Sequence, residues 1–192
     1  MTQSEDKIVQ YLFEARAGEL ALQSTLRAHL AMTPSSTYRK LLETHLEETK
    51  DHARRLQARL GELGGSRNTM RAGVGLAQGV MGQALALGKG PLDLVRGHSA
   101  EEKLLKNCRD ECAAEALEIA SYDILESLAR LVGDEPTAAL AVVIRAEEER
   151  MLGRLREELP RIAEAMARAE LAGDAALQPA AARSGSEAPT EE

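Results

Sequence analysis

Glutamates interrupt the apolar faces of this sequence at positions where a core residue is expected. Between Ile8 and Leu26, apolar residues recur at steps of three and four, which is the period of a helix face, and Glu19 completes that series. A later series, from Leu104 to Leu125, passes through acids in its middle turns in the same way. Because an unpaired buried charge costs several kcal/mol, carboxylates at such positions need a cationic partner.

These acids also lie at one level of the predicted fold. Each occupies the midpoint of its own predicted helix or a position close to it, and in an antiparallel bundle the helix midpoints share one level. On the last helix, one of Glu147 and Glu148 must lie near the inward face, and the midpoint selects Glu148. No Lys or Arg falls on the inward faces at this level. The carboxylates concerned are Glu19, Glu48, Glu115, Glu118 and Glu148.

A pair of divalent or trivalent metal ions would compensate this charge. Known bundles hold such pairs with one Glu from each of two helices and Glu plus His from each of the other two. His45 and His52 flank Glu48 on one helix, and either histidine suits a polar helix edge, while the position of His52 also suits a ligand. Carboxylate and imidazole ligands favour iron or manganese without distinguishing them. We therefore predict a dinuclear iron or manganese site at Glu19, Glu48, His52, Glu115, Glu118 and Glu148.

Four long predicted helices position these residues. Apolar periodicity, capping boxes at residues 2–5 and 99–102, and glycines at 64–65 and 133 predict where they begin and end. Asp134 caps the last helix, which Pro160 is expected to kink or end, leaving a short extension. The predicted spans are about 5–32, 35–62, 99–132 and 135–171.

The remaining segments contribute little to a bundle core. Residues 64–98 are Gly-rich and nearly uncharged in the middle, and we predict a short helix at about 69–87 and then a Pro-containing loop, crossing over the bundle. Residues 173–192 consist largely of Ala, Pro, Ser, Gly and Glu, so we predict a disordered tail. The expected fold is all-α: an antiparallel four-helix bundle over residues 1–172, with an extra short Gly-rich helix between the second and third long helices.

Composition and charge argue against several classes of function. A net charge of −7, with arginines interleaved among glutamates, argues against nucleic acid as a partner. The N-terminus lacks the apolar stretch of a secretory signal, and the longest uncharged run, residues 72–88, is too short to span a membrane. We expect a cytoplasmic protein with no transmembrane segment. Cys108 and Cys112 suit two reduced core thiols better than a disulfide, with a metal or redox role as the alternative.

Several short motifs resemble those of a known family. A faint internal repeat aligns residues 18–26 with residues 117–125 and pairs Glu19 with Glu118. The family motifs are YLFEARAGE at 11–19, HLEET at 45–49, ALEIASYDIL at 116–125 and EEE at 147–149. Through them, residues 8–159 resemble the YciE/YciF-type ferritin-like family, bacterial stress-associated proteins of the ferritin/rubrerythrin superfamily. The resemblance implies a ferritin-like bundle, often dimeric, with a di-iron site whose carboxylates fall on Glu19, Glu48, Glu115, Glu118 and Glu148.

The sequence also departs from that family's pattern. Relatives commonly carry Glu-His-x-Glu in the third helix, where residues 115–118 are Glu-Ala-Leu-Glu, and an Asp in the fourth helix near the position of Leu152. The fourth predicted helix contains no Glu-x-x-His motif. These departures imply either a carboxylate-rich site with one histidine or a partly degenerate site.

Three functions fit these observations. The first is a ferritin-like metal-binding protein that uses iron or manganese with dioxygen or peroxide, in iron- or peroxide-related stress protection. The second is a non-catalytic dimeric stress or scaffold protein with a degenerate metal site. The third, a module that binds at a membrane surface, rests on the Gly-rich segment alone. For the first two, the resemblance implies a homodimer.

Overall fold

The structure, a computed structural model, describes residues 3–34, 36–64 and 99–177. These residues form four helices and contain no strand. The helices are α1 (Gln3–Met32), α2 (Thr37–Glu62), α3 (Ala100–Val132) and α4 (Glu135–Leu177). α1 packs on α2 and α3 packs on α4, and contacts of α1 with α3 and of α2 with α4 close the bundle. The predicted all-α four-helix bundle is confirmed.

Neighbouring helices run antiparallel. Ile8, near the start of α1, shares an apolar cluster with Leu60, near the end of α2. Leu26, at the other end of α1, lies in a cluster with Tyr38 at the start of α2. α3 and α4 reverse direction through the short connection at residues 133–134. The middles of α1, α2 and α3 therefore meet at one level, as predicted from the sequence. α4 reaches this level between Ile144 and Met151, about a third of the way along its length, because the helix continues to Leu177.

Local capping explains where the helices begin and end. Ser36 Oγ accepts a hydrogen bond from the Arg39 N–H at 3.1 Å, and Ser99 Oγ accepts one from the Glu102 N–H at 3.0 Å. Each cap satisfies a backbone donor that the first helical turn leaves unpaired. Gly133 ends α3 in the left-handed conformation, with a φ of 75°. The Ser99 cap and the Gly133 end of α3 are those that the sequence predicts, whereas the Ser36 cap of α2 was not predicted individually.

The core consists of two apolar clusters separated by a polar layer. On α1 the buried members of one cluster end at Leu12, and those of the other begin at Leu22. On α4 the corresponding residues are Ile144 and Met151. The residues that fill these two gaps in the apolar core are Glu19 and Glu148, both buried.

α4 is longer than the sequence predicts. Of the two expectations for Pro160, a kink or an end of the helix, the end is wrong, because α4 continues through Pro160 to Leu177. Proline removes one backbone N–H, and Pro160 is exposed, whereas Leu155 and Ile162 on either side of it stay in the core. Packing of that apolar face outweighs the lost hydrogen bond. The helix also includes residues 173–177, at the start of the predicted tail.

Several predictions fall outside the described residues. The short Gly-rich helix predicted at 69–87, its loop, and tail residues 178–192 are among them. Within the described part of the chain, no helix is both long and apolar enough to cross a membrane.

Two glycines provide a test of the helix boundaries. A Cβ at Gly133 would contact nothing within 4 Å, so a substitution there reports only the left-handed backbone. We expect Gly133→Ala to lower the free energy of unfolding by about 1 kcal/mol. Gly153 lies inside α4, where an added Cβ would also meet nothing within 4 Å, and Gly153→Ala should raise stability by about 0.5–1 kcal/mol. Urea unfolding of both variants measures the difference, and equal effects would contradict the assigned α3 end.

Candidate metal centre

The polar layer brings together acids and histidines from all four helices. Their side chains are almost fully buried, with exposed fractions of 0% for Glu19 and Glu115, 1% for His45 and His52, and 2% for Glu148. The first four sit near the middle of their helices, and Glu148 lies about a third of the way along α4. Each has apolar residues one or two turns away on either side. Backbone periodicity therefore points these polar groups at one another instead of at solvent.

The first group of potential ligands joins α1, α2 and α4. One atom from each of Glu19, His52 and Glu148 lies within 4.8 Å of the other two. His52 Nδ1 is 2.7 Å from Glu148 Oε1 and 3.4 Å from Glu19 Oε1. The same ring nitrogen, Nδ1, thus faces both carboxylates.

The second group joins α2, α3 and α4. It consists of His45, Glu115 and Glu148, again with one atom of each within 4.8 Å of the others. His45 Nε2 is 2.7 Å from Glu115 Oε1. Glu148 belongs to both groups, so its carboxylate lies between two potential metal positions. Among the described residues these are the two groups of three or more that could hold an ion.

Many of the facing atoms have no hydrogen-bond partner. The contacts of His45 Nε2 with Glu115 and of His52 Nδ1 with Glu148 are short, at 2.7 Å each, but their alignment is unsuitable for a hydrogen bond. A buried polar atom left unpaired costs about 1–3 kcal/mol. A cation between the lone pairs would satisfy them together, and the donor set therefore fits metal ions. The unpaired atoms are Glu19 Oε2, His45 Nε2, His52 Nδ1, Glu148 Oε1 and both carboxylate oxygens of Glu115.

The carboxyl groups resist ionisation in the absence of a metal ion. Burial, followed by the nearby charge of Glu148, raises the pKa of Glu115 well above its usual range. Burial and the charges of Glu19 and Glu148 do the same to the pKa of Glu118. Burial also raises the pKa of Glu19, although its contact with His52 offsets part of the effect. Protons therefore take the place of cations in the metal-free layer.

The two histidines differ in charge. For His52, burial lowers the pKa, but the contacts with Glu148 and Glu19 overcome it and raise the pKa to about 10. Burial likewise raises the pKa of Glu148, and the His52 imidazolium outweighs it, so that this pKa ends below its usual value. Burial lowers the pKa of His45, which is therefore neutral. In the metal-free protein, His52 and Glu148 form an ion pair.

A second set of residues holds the first set in place. The Tyr122 hydroxyl donates to Glu19 Oε1. His52 Nε2 donates to Glu147 Oε2 at 3.0 Å, and the Arg55 guanidinium donates to the same oxygen. On the other side, Glu111 accepts a hydrogen bond from His29, and its second oxygen is 3.7 Å from His45 Nδ1. The remaining nitrogen of each metal-facing histidine is thus turned towards a carboxylate, an arrangement that orients metal ligands.

The structure places the six sequence-predicted site residues in different surroundings. Glu19, His52, Glu115 and Glu148 meet in the two groups. Glu118 lies in neither group and is half-buried, but its Oε2 atom is buried without a hydrogen bond. Glu48 also lies in neither group and is half-buried on the wall of a groove between α2 and α4.

Sequence reasoning missed the roles of two buried histidines. It treats His45 as a polar edge and gives His29 no role, yet His45 belongs to the second group and His29 binds Glu111. The structure thus brings two histidines to the layer where the sequence implies one. The sequence contains a signal for His45. At 100° per residue, positions 45 and 52 lie about 20° apart around a helix and so share one face, whereas Glu48 lies about 60° from His45. Pairing of Glu111 with His29 depends on helix packing and had no local signal.

The two cysteines lie away from the ligand groups. Both are free, with Cys108 buried and Cys112 half-buried. Cys108 Sγ donates to the Leu155 carbonyl at 3.5 Å, and burial raises the pKa of this thiol to about 12. Cys108 is therefore an unreactive core thiol, which agrees with the first interpretation of the sequence.

Comparison with known proteins identifies related chains. A family model described as a domain of unknown function, DUF892, matches residues 5–168. A crystal structure from Xanthomonas campestris is 24% identical, with a TM-score of 0.68, and the match covers 88% of this chain and 99% of that one. The Escherichia coli stress protein YciF is 20% identical, with a TM-score of 0.66 and coverage of 85% and 99%. YcfI from Rhodopseudomonas palustris is 18% identical, with a TM-score of 0.66 and coverage of 81% and 94%.

At such identities the solved structures establish the common fold alone. No curated protein matches this sequence. Any assignment of chemistry must therefore come from the residues of this chain.

The pKa shifts predict how the stability of the metal-free protein depends on pH. The raised pKa of His52 contributes stability that is complete below pH 6.5 and is lost as pH rises towards about 10. The raised pKa values of Glu115 and Glu118 act in the same direction, because folding favours their protonated forms. We expect the free energy of unfolding, measured with urea in the presence of chelator, to fall between pH 6.5 and about 9.

A conservative variant separates this effect from general alkaline destabilisation. Glu118→Gln keeps the shape of the side chain and removes a group that must ionise, so the fall with pH should be smaller. Glu157→Gln, an exposed residue of α4, should behave as wild type. A stability that is constant or rises over this range in the wild type would contradict the assigned charge states.

Proposed function

The chain belongs to the DUF892 family, in agreement with its resemblance to YciE/YciF-type proteins, and on that premise we propose that it is a ferritin-like protein that binds two metal ions in its bundle core. One observation carries the proposal. Two fully buried Glu/His groups share Glu148, and the atoms that face each other lack hydrogen bonds. A core that only needed stability would gain more from apolar residues of similar volume.

Each metal position has three ligands from three helices. We assign one ion to Glu19, His52 and Glu148, and the other to His45, Glu115 and Glu148. Glu148 would contribute to both positions, because it belongs to both groups. Of the other predicted ligands, Glu118 offers a further carboxylate beside Glu19, whose charge raises its pKa. Glu48 faces the groove, and we propose no ligand role for it.

The donor set favours iron or manganese. It consists of carboxylate oxygens and imidazole nitrogens, and thiolate is absent from both groups. When bound, either metal supplies reversible electron exchange with a small oxidant such as peroxide or dioxygen. A role in iron- or peroxide-related stress protection follows from that chemistry, and a bundle without a membrane-crossing helix among its described residues fits action in the cytoplasm.

The residues of the chain prepare the site for metal binding. The apolar clusters above and below the layer exclude water, so carboxylates interact strongly with a cation. Tyr122 holds Glu19, and Glu147 holds His52, in orientations that turn Glu19 and His52 Nδ1 towards the first position. Metal binding must displace protons from the carboxyl groups and from His52 Nδ1, so affinity rises with pH.

A second candidate, a dimeric scaffold protein without turnover, has one observation in its favour. Leu117, Ile124 and Leu131 are exposed by 58%, 47% and 82%, and their spacing of seven places them on one stripe of α3. Such a stripe suits packing against the same helix of a second chain. A homodimer is compatible with both candidates, so the metal site distinguishes them.

Metal analysis tests the proposal directly. After reconstitution with Fe²⁺ or Mn²⁺, wild type should hold up to two ions per chain. Free metal at 100 times the dissociation constant of a site should add about 2.7 kcal/mol to its stability for each ion bound. Glu148→Ala removes the shared ligand and should abolish binding of both ions. Glu19→Ala combined with Glu118→Ala should lose the first position, and Glu157→Ala should retain two ions. Elemental analysis and melting curves with and without chelator measure these effects.

The metal-free variants provide a further control. Glu148→Ala removes the ion-pair partner of His52, so its apoprotein should be less stable than that of wild type, but it should still fold and melt cooperatively because both apolar clusters remain. A wild type that binds no ion after reconstitution, and whose melting curve is unchanged by chelator, would contradict the metal-binding proposal and leave the scaffold candidate.

A further inference from the structure

The two metal positions differ in their distance from solvent. At the His45 end, the neighbouring carboxylate Glu111 is 1% exposed and is bonded to His29, which is 3% exposed. At the His52 end, the neighbouring carboxylate is Glu147, whose side chain is 25% exposed. Within the described residues, the polar layer therefore approaches the surface at His52 and is closed at His45.

A groove between α2 and α4 reaches this open side. Its volume is about 560 Å³. Six waters occupy about 180 Å³ at about 30 Å³ each, so the groove can admit a hydrated divalent cation. His52 forms part of the groove wall and also belongs to the first ligand group, where its Nδ1 atom has no hydrogen-bond partner. One buried side chain thus separates the groove from the metal centre.

The groove is lined mainly by acids. Two arginines, Arg55 and Arg150, oppose them among the described lining residues. Arg55 is already paired with Asp51 and Glu147, which reduces its effect on a passing cation. The five acids outnumber the two arginines and His52, and a concave surface with a net negative charge concentrates cations and speeds their association. The acids of the wall are Glu43, Glu47, Glu48, Asp51 and Glu147.

We infer that this groove is the route by which divalent cations reach the metal centre, passing the wall formed by His52 and Glu147. The inference rests on the proposed function. The outer acids attract the hydrated ion, and Glu147 is the carboxylate in direct contact with His52. The closed end at His45 then receives its ion through the first position, because the described residues around Glu111 leave it no approach of its own.

Charge reversal in the groove tests the electrostatic part of the route. Glu43 and Glu47 are exposed, lie outside both ligand groups and make surface pairs with Arg39 and Lys50. Stopped-flow mixing of apoprotein with Co²⁺ at low salt should show an association rate at least about fivefold slower in Glu43→Lys/Glu47→Lys, and the difference should shrink as salt is added.

A matched variant controls for net charge. Glu164 and Glu170 are exposed on α4, and at 1.5 Å per residue they lie about 25 and 35 Å along the helix from Glu147. The double variant Glu164→Lys/Glu170→Lys changes the net charge equally. At low salt it should slow loading less than the groove variant, and at 0.1 M salt it should load Co²⁺ within about twofold of the wild-type rate, because both distances exceed the screening length of about 10 Å there.

A steric variant tests passage itself. Thr44 is exposed on the groove wall, and its hydroxyl donates to the Lys40 carbonyl. Thr44→Trp should slow both association and chelator-driven release of Co²⁺ by similar factors, leaving the dissociation constant nearly unchanged, which is the signature of a blocked path. Ser127→Trp is the control, since Ser127 is exposed on α3 and bonds the Asp123 carbonyl in the same way.

The outcomes separate the route from the metal site. If wild type binds no Co²⁺ at equilibrium, the proposed function and the route both fail. If wild type binds Co²⁺ but the groove variants load and release it as fast as their controls, the metal site stands and the route is wrong.

Discussion

Repulsion between buried carboxylates is the constraint on which the rest of this structure depends. Glu19, Glu115 and Glu148 meet at the middle of the bundle, where water cannot screen them and solvation cannot stabilise their charge. The chain meets this constraint in two ways. Protons neutralise some carboxyl groups, as the raised pKa values indicate, and His52 forms an ion pair with Glu148. Neither arrangement satisfies all the polar atoms, and that deficit is what makes the layer suitable for metal ions.

Residues around the polar layer hold its two histidines in fixed orientations. His45 and His52 each present one nitrogen to the candidate metal positions and turn the other towards a carboxylate, Glu111 or Glu147. Those carboxylates are bonded in turn to His29 and Arg55. The two sides differ in burial. The contacts from His45 through Glu111 to His29 end inside the core, whereas those from His52 through Glu147 to Arg55 end at the acidic groove. This asymmetry gives otherwise similar ligand groups different access to solvent.

The apolar clusters allow the fold to tolerate this arrangement. They lie on both sides of the layer, so the helices are held together at two levels while the middle level carries the polar groups. A ligand that binds only the folded chain adds to its stability, and metal binding would therefore couple occupancy of the centre to folding. The comparisons support the bundle and the family, while the chemistry rests on these contacts.

Local pattern in the sequence was enough to predict the four helices and most of their ends, because periodicity and capping act over a few residues. The level of Glu19, Glu115 and Glu148 followed from the same regularity. The family was indicated separately, by the resemblance of four short motifs. The sequence also suggested an end at Pro160, and the structure differs because tertiary packing of the α4 face outweighs a single lost hydrogen bond. The spacing of seven residues places His45 and His52 on one helix face, but only the tertiary structure decided that this face points into the layer while Glu48 lines the groove, and that His29 meets Glu111. Those choices depend on helix rotation and on residues 82 positions apart in the chain, which no local pattern encodes.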